Sequence, residues 1–191
     1  MEKSVTGSPS DELKESLERG LLGDKSCVPN GQLFCGDIDM RIARDGTWYY
    51  HGSPIERRQL VKLFGSILKR DIQGDFWLET PVEKCRIQVE DVPFQAVEMS
   101  VNGGEQNQRL SFRTNVDDIV IAGPENQIRV VINSETGEPS PYLQVREGIE
   151  ALITRAVFYD LVELAVEEQN NGRTILGVWS EGVCFTLGPA D

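Results

Sequence analysis

DGTWYYHGSPIERRQL, residues 45–60, decides the fold class. Asp45-Gly46 is a tight hairpin turn and Thr47-Trp48-Tyr49-Tyr50 an aromatic, β-prone return strand. Upstream of the turn, Ile38, Met40 and Ile42 alternate with other residues, as in a half-buried strand. Downstream, Ser53-Pro54-Ile55-Glu56 has the form of a capping box, with Ser as N-cap, Pro at the first helical position and Glu at the third. A helix is therefore predicted there, burying Leu60, Leu63, Phe64, Ile67 and Leu68 on one face. The stretch reads as hairpin followed by helix, the start of an α+β unit.

The same pattern continues outward. Gly74 follows the helix, Phe76 to Thr80 read as a strand ended by Pro81, and Cys85, Ile87 and Val89 alternate in another. From Val92 to Asn133 the reading is all strand. Phe94–Val101 turns at Asn102-Gly103-Gly104 into Leu110–Thr114, and the alternation slips near Ala96-Val97, which predicts a bulge. Ile119–Ile121 and Ile128–Ile132 follow. The periodicity of Ile149, Leu152, Ile153, Ala156, Val157, Leu161 and Leu164 predicts a long helix over 145–169, stopped at Asn170-Asn171-Gly172 and followed by a hairpin of 175–179 with 183–187. Near the N-terminus, Ser10 is placed to cap a short amphipathic helix through Arg19.

These elements group into an N-terminal helix and loop (1–36), an α+β domain (37–91) and a larger α+β domain (92–191), with mostly antiparallel sheets. The halves echo each other. Pairing Arg57 with Arg146, 89 residues apart, matches Leu60 with Ile149 and Phe64 with Ile153. After the predicted helices a separation of 98 pairs Gly74 with Gly172, Leu78 with Leu176, Glu83 with Glu181 and Ile87 with Phe185. Two similar strand–helix–strand units are the expected architecture.

Composition excludes several functions. The chain has 191 residues, 39% of them hydrophobic, so it can bury a core without a disulfide or metal staple. A net charge of −12 repels nucleic acid and anionic lipid at long range, so neither is an expected partner. The four cysteines form no C-x-x-C pair and His51 is the sole histidine, which argues against a zinc site and makes every imidazole mechanism depend on one residue. There is no G-x-x-x-x-G-K-[ST], G-x-G-x-x-G after a strand, or G-x-S-x-G. The stretch MEKSVTGSPSDELKES lacks an apolar signal-peptide core and no 18-residue apolar run exists, so the cytoplasm is the expected location. No cofactor, metal site or catalytic residue is predicted.

The binding candidates are Arg57 and Arg146, each a few residues after a proline in the first turn of a predicted helix. Free N–H groups and the helix dipole favour an anion there, and a guanidinium adds a planar fork for phosphate or carboxylate. Ion pairing with neighbours such as Glu56 is the structural alternative. Trp48, Tyr142 and Tyr159 could stack on a ring, or serve the core; His51, just before the helix start, completes the candidate set.

The strings DGTWYYHGSPIERRQL, FWLETPVEKCRIQVEDVPF, LSFRTN, SPYLQVREGIEALITRAVFYDL and GVWSEGVCFTLG span about Asp45 to Gly188 and resemble a bacterial family known as domain of unknown function 1285. The resemblance implies a duplicated core whose C-terminal part is loosely pleckstrin-homology-like, a nucleotide-like ligand between the halves and a role in signalling. The hairpin after the last helix departs from the pleckstrin-homology pattern, so phosphoinositide binding is not carried over. The expected function is a non-catalytic module for a small anionic ligand. A protein-interaction adaptor and an enzyme with an unconventional carboxylate site stay open.

Overall fold

The structure is a computed structural model describing residues 26–27, 33–170 and 172–190. It divides into two compact units, Met1–Pro93 and Phe94–Asp191. The helix expected at Ser10–Arg19 lies outside the described residues.

In the first unit, strand β1 (Ser26–Cys27) pairs with β2 (Leu33–Ile42), which turns at Asp45-Gly46 into β3 (Trp48–Tyr50). The turn is as read. The capping box is not: Ser53-Pro54 forms a further short strand, β4, paired with Tyr49 and Tyr50. The cause is local. His51 and Gly52 both take positive φ (47° and 74°), as the two-residue turn of a tight hairpin requires, and this sends the chain straight back. Pro54 then sits on the outermost strand, where its missing N–H costs no ladder bond.

Helix α1 begins later, at Arg58, and runs to Ile67; its N-cap is Arg57, with no side-chain cap bond. It buries Leu60 and Phe64, while Leu63 points to solvent. Phe64 stacks on Trp48 of β3 at 6.1 Å between ring centroids. Truncating such a buried ring costs about 3–5 kcal/mol, so this contact is a main tie between helix and sheet. Strands β5 (Leu68–Arg70), β6 (Phe76–Glu79) and β7 (Glu83–Val89) complete the unit. The sheet order is β4-β3-β2-β7-β6-β5, two antiparallel triplets joined by a parallel β2–β7 seam.

The second unit contains a six-stranded sheet of the same form. Its strands are β8 (Phe94–Asn102), β9 (Arg109–Thr114), β10 (Ile119–Ile121), β11 (Ile128–Ile132), β12 (Pro139–Arg146) and β13 (Ile149–Ile153), in the order β10-β9-β8-β13-β12-β11, with β8 and β13 parallel. The predicted bulge is present as a register shift between Ala96 and Glu98.

The long helix predicted over 145–169 is corrected here. Gly148 takes φ of 70° and closes a β12–β13 hairpin, and Ile149, Ala151 and Ile153 alternate into the core with period two. Only Arg155–Glu163 is helical (α2), burying Val157 and Leu161. The chain then forms a three-stranded sheet of β14 (Val166–Asn170), β15 (Arg173–Ser180) and β16 (Val183–Pro189). Asn170 ends β14 and Gly172 directly precedes β15, so the helix stop expected there is a strand end instead.

Both units are α+β, and the duplication is real, but it follows a different register from part of the sequence alignment. The 89-residue pairing of Arg57 with Arg146 sets a helix against a strand. The 98-residue register instead matches β6–β7 to β15–β16, with Gly74 and Gly172 both at positive φ in equivalent turns. Seen this way, β2–β3–β4–α1–β5–β6–β7 and β11–β12–β13–α2–β14–β15–β16 share an order of elements, although β2 and β7 are hydrogen-bonded neighbours while β11 and β16 belong to different sheets.

Candidate functional site

The parallel seam of the first unit is incomplete. Asp37 pairs with Arg86 and Arg41 with Gln88, so β2 uses Ile38, Asp39 and Met40 where β7 uses only Ile87. A cavity of about 440 Å³ opens at this break, lined by Asp37, Ile38, Arg70, Asp75, Arg86 and Gln88 among others. That volume lies within the range of small-ligand sites.

The β5–β6 turn carries Arg70 and Asp75 to the cavity, and Asp71 holds that turn together. Its Oδ1 accepts the backbone N–H of Gln73 (3.0 Å) and of Asp75 (2.9 Å), while Oδ2 accepts Trp77 Nε1–H (2.8 Å). Desolvation pushes the Asp71 carboxyl up, but the Trp77, Asp75 and Gln73 donors outweigh it, and the group lies below its ordinary value. Gly74, at φ of 94°, supplies the reversal.

Arg86 is engaged by two carboxylates. Its Nη2 donates to Asp37 Oδ2 (2.8 Å), its Nε to Asp37 Oδ1, and its Nη1 to Asp75 Oδ2 (3.2 Å). These bonds push the guanidinium up, and the Arg86 hydrogen bond pulls the Asp37 carboxyl down. Arg70 is different. Its Nε donates to Gly74 O (3.2 Å) and its guanidinium lies 5.2 Å from the Phe76 ring centroid, but among the described residues it meets no carboxylate. The lining thus combines one cation open to a ligand with carboxylates already partly neutralised.

The residues singled out from sequence are distributed otherwise. Arg57 is the exposed N-cap of α1. Arg146 ends strand β12, so the helix-terminus argument does not apply to it. It is half-buried, 3.9 Å from Asp118 and 5.5 Å from the Phe94 ring; burial lowers its pKa, with Asp118 opposing. Trp48 is 1% exposed and packed on Phe64, so the expected ligand-stacking role is unavailable in this packing; its Nε1 has no partner among the described residues. Tyr142 is likewise buried, at 7% exposure, with Arg129 over its ring at 4.1 Å. Tyr159 is exposed and accepts a hydrogen bond from Arg155 Nε (2.8 Å). His51 is exposed, with Nδ1 3.1 Å from Asp39 Oδ2.

Arg70 and Arg86 escaped the sequence reading. Arg86 was visible as an outward position between Cys85 and Ile87, but its partner depends on the long-range β2–β7 register. Among the described residues no group of three or more His, Cys, Asp or Glu side chains is placed to hold a metal, and no helix is long and apolar enough to cross a membrane.

The fold defines a duplicated α+β protein with two similar six-stranded mixed sheets. The chain belongs to the DUF1285 family: the N-terminal domain of unknown function matches residues 31–92, and the C-terminal domain of that protein of unknown function matches 93–187. A DUF1285 family protein from Silicibacter pomeroyi DSS-3 is 46% identical over 91% of this chain and 93% of its own, with a TM-score of 0.77. One from Shewanella baltica OS155 is 27% identical over 66% of this chain and 91% of its own, with a TM-score of 0.52. Among curated proteins, none matches.

Proposed function

We propose that this protein is a non-catalytic regulatory module that binds a small ligand carrying an anionic group and hydrogen-bond donors, the chemistry of a nucleotide, in the cleft at the β2–β7 seam. Arg70 carries the reading: it is a guanidinium on a ligand-sized cavity with no carboxylate partner among the described residues. It would grip a phosphate or carboxylate through its planar fork. Asp75, Asp37 and Gln88 would face amino or hydroxyl groups of the same ligand. Asp37, held below its ordinary value by the Arg86 hydrogen bond, suits an ion-paired structural carboxylate and not a general acid, which needs the opposite direction. Isothermal titration of the full chain against nucleotides, with inorganic phosphate and sulfate as bare-anion controls, tests it. Saturable binding of a nucleotide that bare anions do not match is expected; heat from no member of the panel contradicts it.

A second reading, a protein-interaction adaptor, is favoured by β10. This strand is at the end of its sheet and leaves Ile119 and Ile121 exposed, the kind of edge to which a partner strand adds. Loss of a captured partner in Ile119→Lys, with the fold intact, would support it.

A further inference from the structure

A second cleft, of about 540 Å³, lies wholly in the C-terminal unit and has the opposite chemistry. Its walls are Trp179 of β15, Leu164 just after α2, Val166 and Glu168 of β14, and the amides of Gln106, Asn107 and Gln108. Among the described residues no lysine or arginine lines it.

The polar groups here accept more than they donate. Glu168 Oε1 takes the Trp179 Nε1–H at 3.0 Å, which fixes the indole edge and leaves the second carboxylate oxygen without a donor among the described residues. Gln108, 7% exposed, lines the cleft and uses its amide nitrogen on Trp179 O at 2.8 Å, so that nitrogen is already spent as a donor. The carboxylate's field is felt next door: burial and then Glu168 push the Cys184 thiol up. Around these acceptors the surface is apolar and accessible, with Val166 exposed and Trp179 and Leu164 half-exposed. A carboxylate beside an indole and two aliphatic side chains repels anions, and a neutral donor gains only a hydrogen bond from it. A cation gains from both the carboxylate and the ring.

We propose that this cleft binds a small organic cation, an amine or quaternary ammonium with a short apolar body, held by Glu168 and Trp179. The site is independent of the Arg70 cleft and involves none of its residues.

The test is an NMR titration of the full-length protein with choline and, separately, with its neutral carbon isostere 3,3-dimethylbutan-1-ol, followed at the Trp179 indole N–H. Choline should shift that resonance saturably, and the isostere should bind at least about tenfold more weakly, equivalent to about 1.4 kcal/mol. Glu168→Gln should weaken choline by a similar factor. Because Glu168 also bonds Trp179, a second variant protects the test: Asn107→Lys adds a competing cation at the rim and should weaken choline while leaving the thermal unfolding curve in place. An unshifted indole at about 50 mM choline, far above the millimolar range of a minimal contact set, overturns the proposal. So does equal binding of the isostere, or an unchanged affinity in Asn107→Lys.

Discussion

Arg86 holds Asp37 across the parallel seam of the N-terminal sheet, Nη2 to Oδ2 at 2.8 Å with Nε on the second oxygen, at the last paired position before the two strands part. The same guanidinium reaches Asp75 at 3.2 Å and so ties the β5–β6 turn to the seam. One arginine therefore fixes both walls of the cleft in which Arg70 remains open.

Acid should loosen this arrangement. The Asp37 carboxyl lies below its ordinary value because Arg86 bonds the charged form. A depressed native pKa contributes stability above the unfolded value of about 3.9, and the contribution is lost as pH falls through the native value. Carboxyl NMR titration should place Asp37 below the usual carboxylate range in the parent and return it towards that range in Arg86→Gln. An unchanged Asp37 titration in the variant would contradict the pairing.

Gly177 is required by sulfur. A Cβ built there would lie 2.6 Å from Cys184 Sγ on the neighbouring strand, too close for any real contact. Gly177→Ala should destabilise the protein by about 1–3 kcal/mol, the usual cost of overpacking. In a Cys184→Ala background the same change should cost much less, because the two sites share one space. Denaturant unfolding of the four proteins measures that coupling; additive losses would mean the clash is relieved elsewhere.

Ser180 links the two sheets of the C-terminal unit from a fully buried position. Its hydroxyl donates to Ala122 O at 2.7 Å and accepts Leu110 N–H at 2.9 Å. Ser180→Ala leaves two buried backbone groups without that partner, so a loss of about 1–3 kcal/mol is expected in equilibrium unfolding. A loss within error of zero would show that the sheets do not depend on it.

Local chemistry was legible in the sequence and long-range pairing was not. Asp45-Gly46, the bulge near Ala96-Val97 and the strands around Cys85 and Phe112 follow from turn residues and period-two alternation alone. Ile149 and Ile153, four apart, satisfy a helical and a strand period together; the positive φ of Gly148 decides for strand, and a lone glycine in an apolar run does not announce that. Ser53-Pro54 carried a true helix-start composition, overridden by the His51-Gly52 turn two residues earlier. For the site, the sequence pattern puts Arg57 and Arg146 at helix termini, and only Arg57 sits at one. Arg70 offers no signal in sequence beyond preceding a turn, because its value comes from Arg86 having already taken Asp37 and Asp75.

Arg70 is the cation of the seam cleft that meets no carboxylate among the described residues. The most direct measurement is an amide NMR titration of the parent and of Arg70→Gln with the tightest nucleotide from the panel. The parent should show saturable shifts concentrated at Arg70, Gly74, Asp75 and Gln88, and Arg70→Gln should bind at least about tenfold more weakly with its spectrum otherwise unchanged, the scale of a lost charge-assisted hydrogen bond. Shifts confined to other residues, or equal affinity in the two proteins, would contradict it.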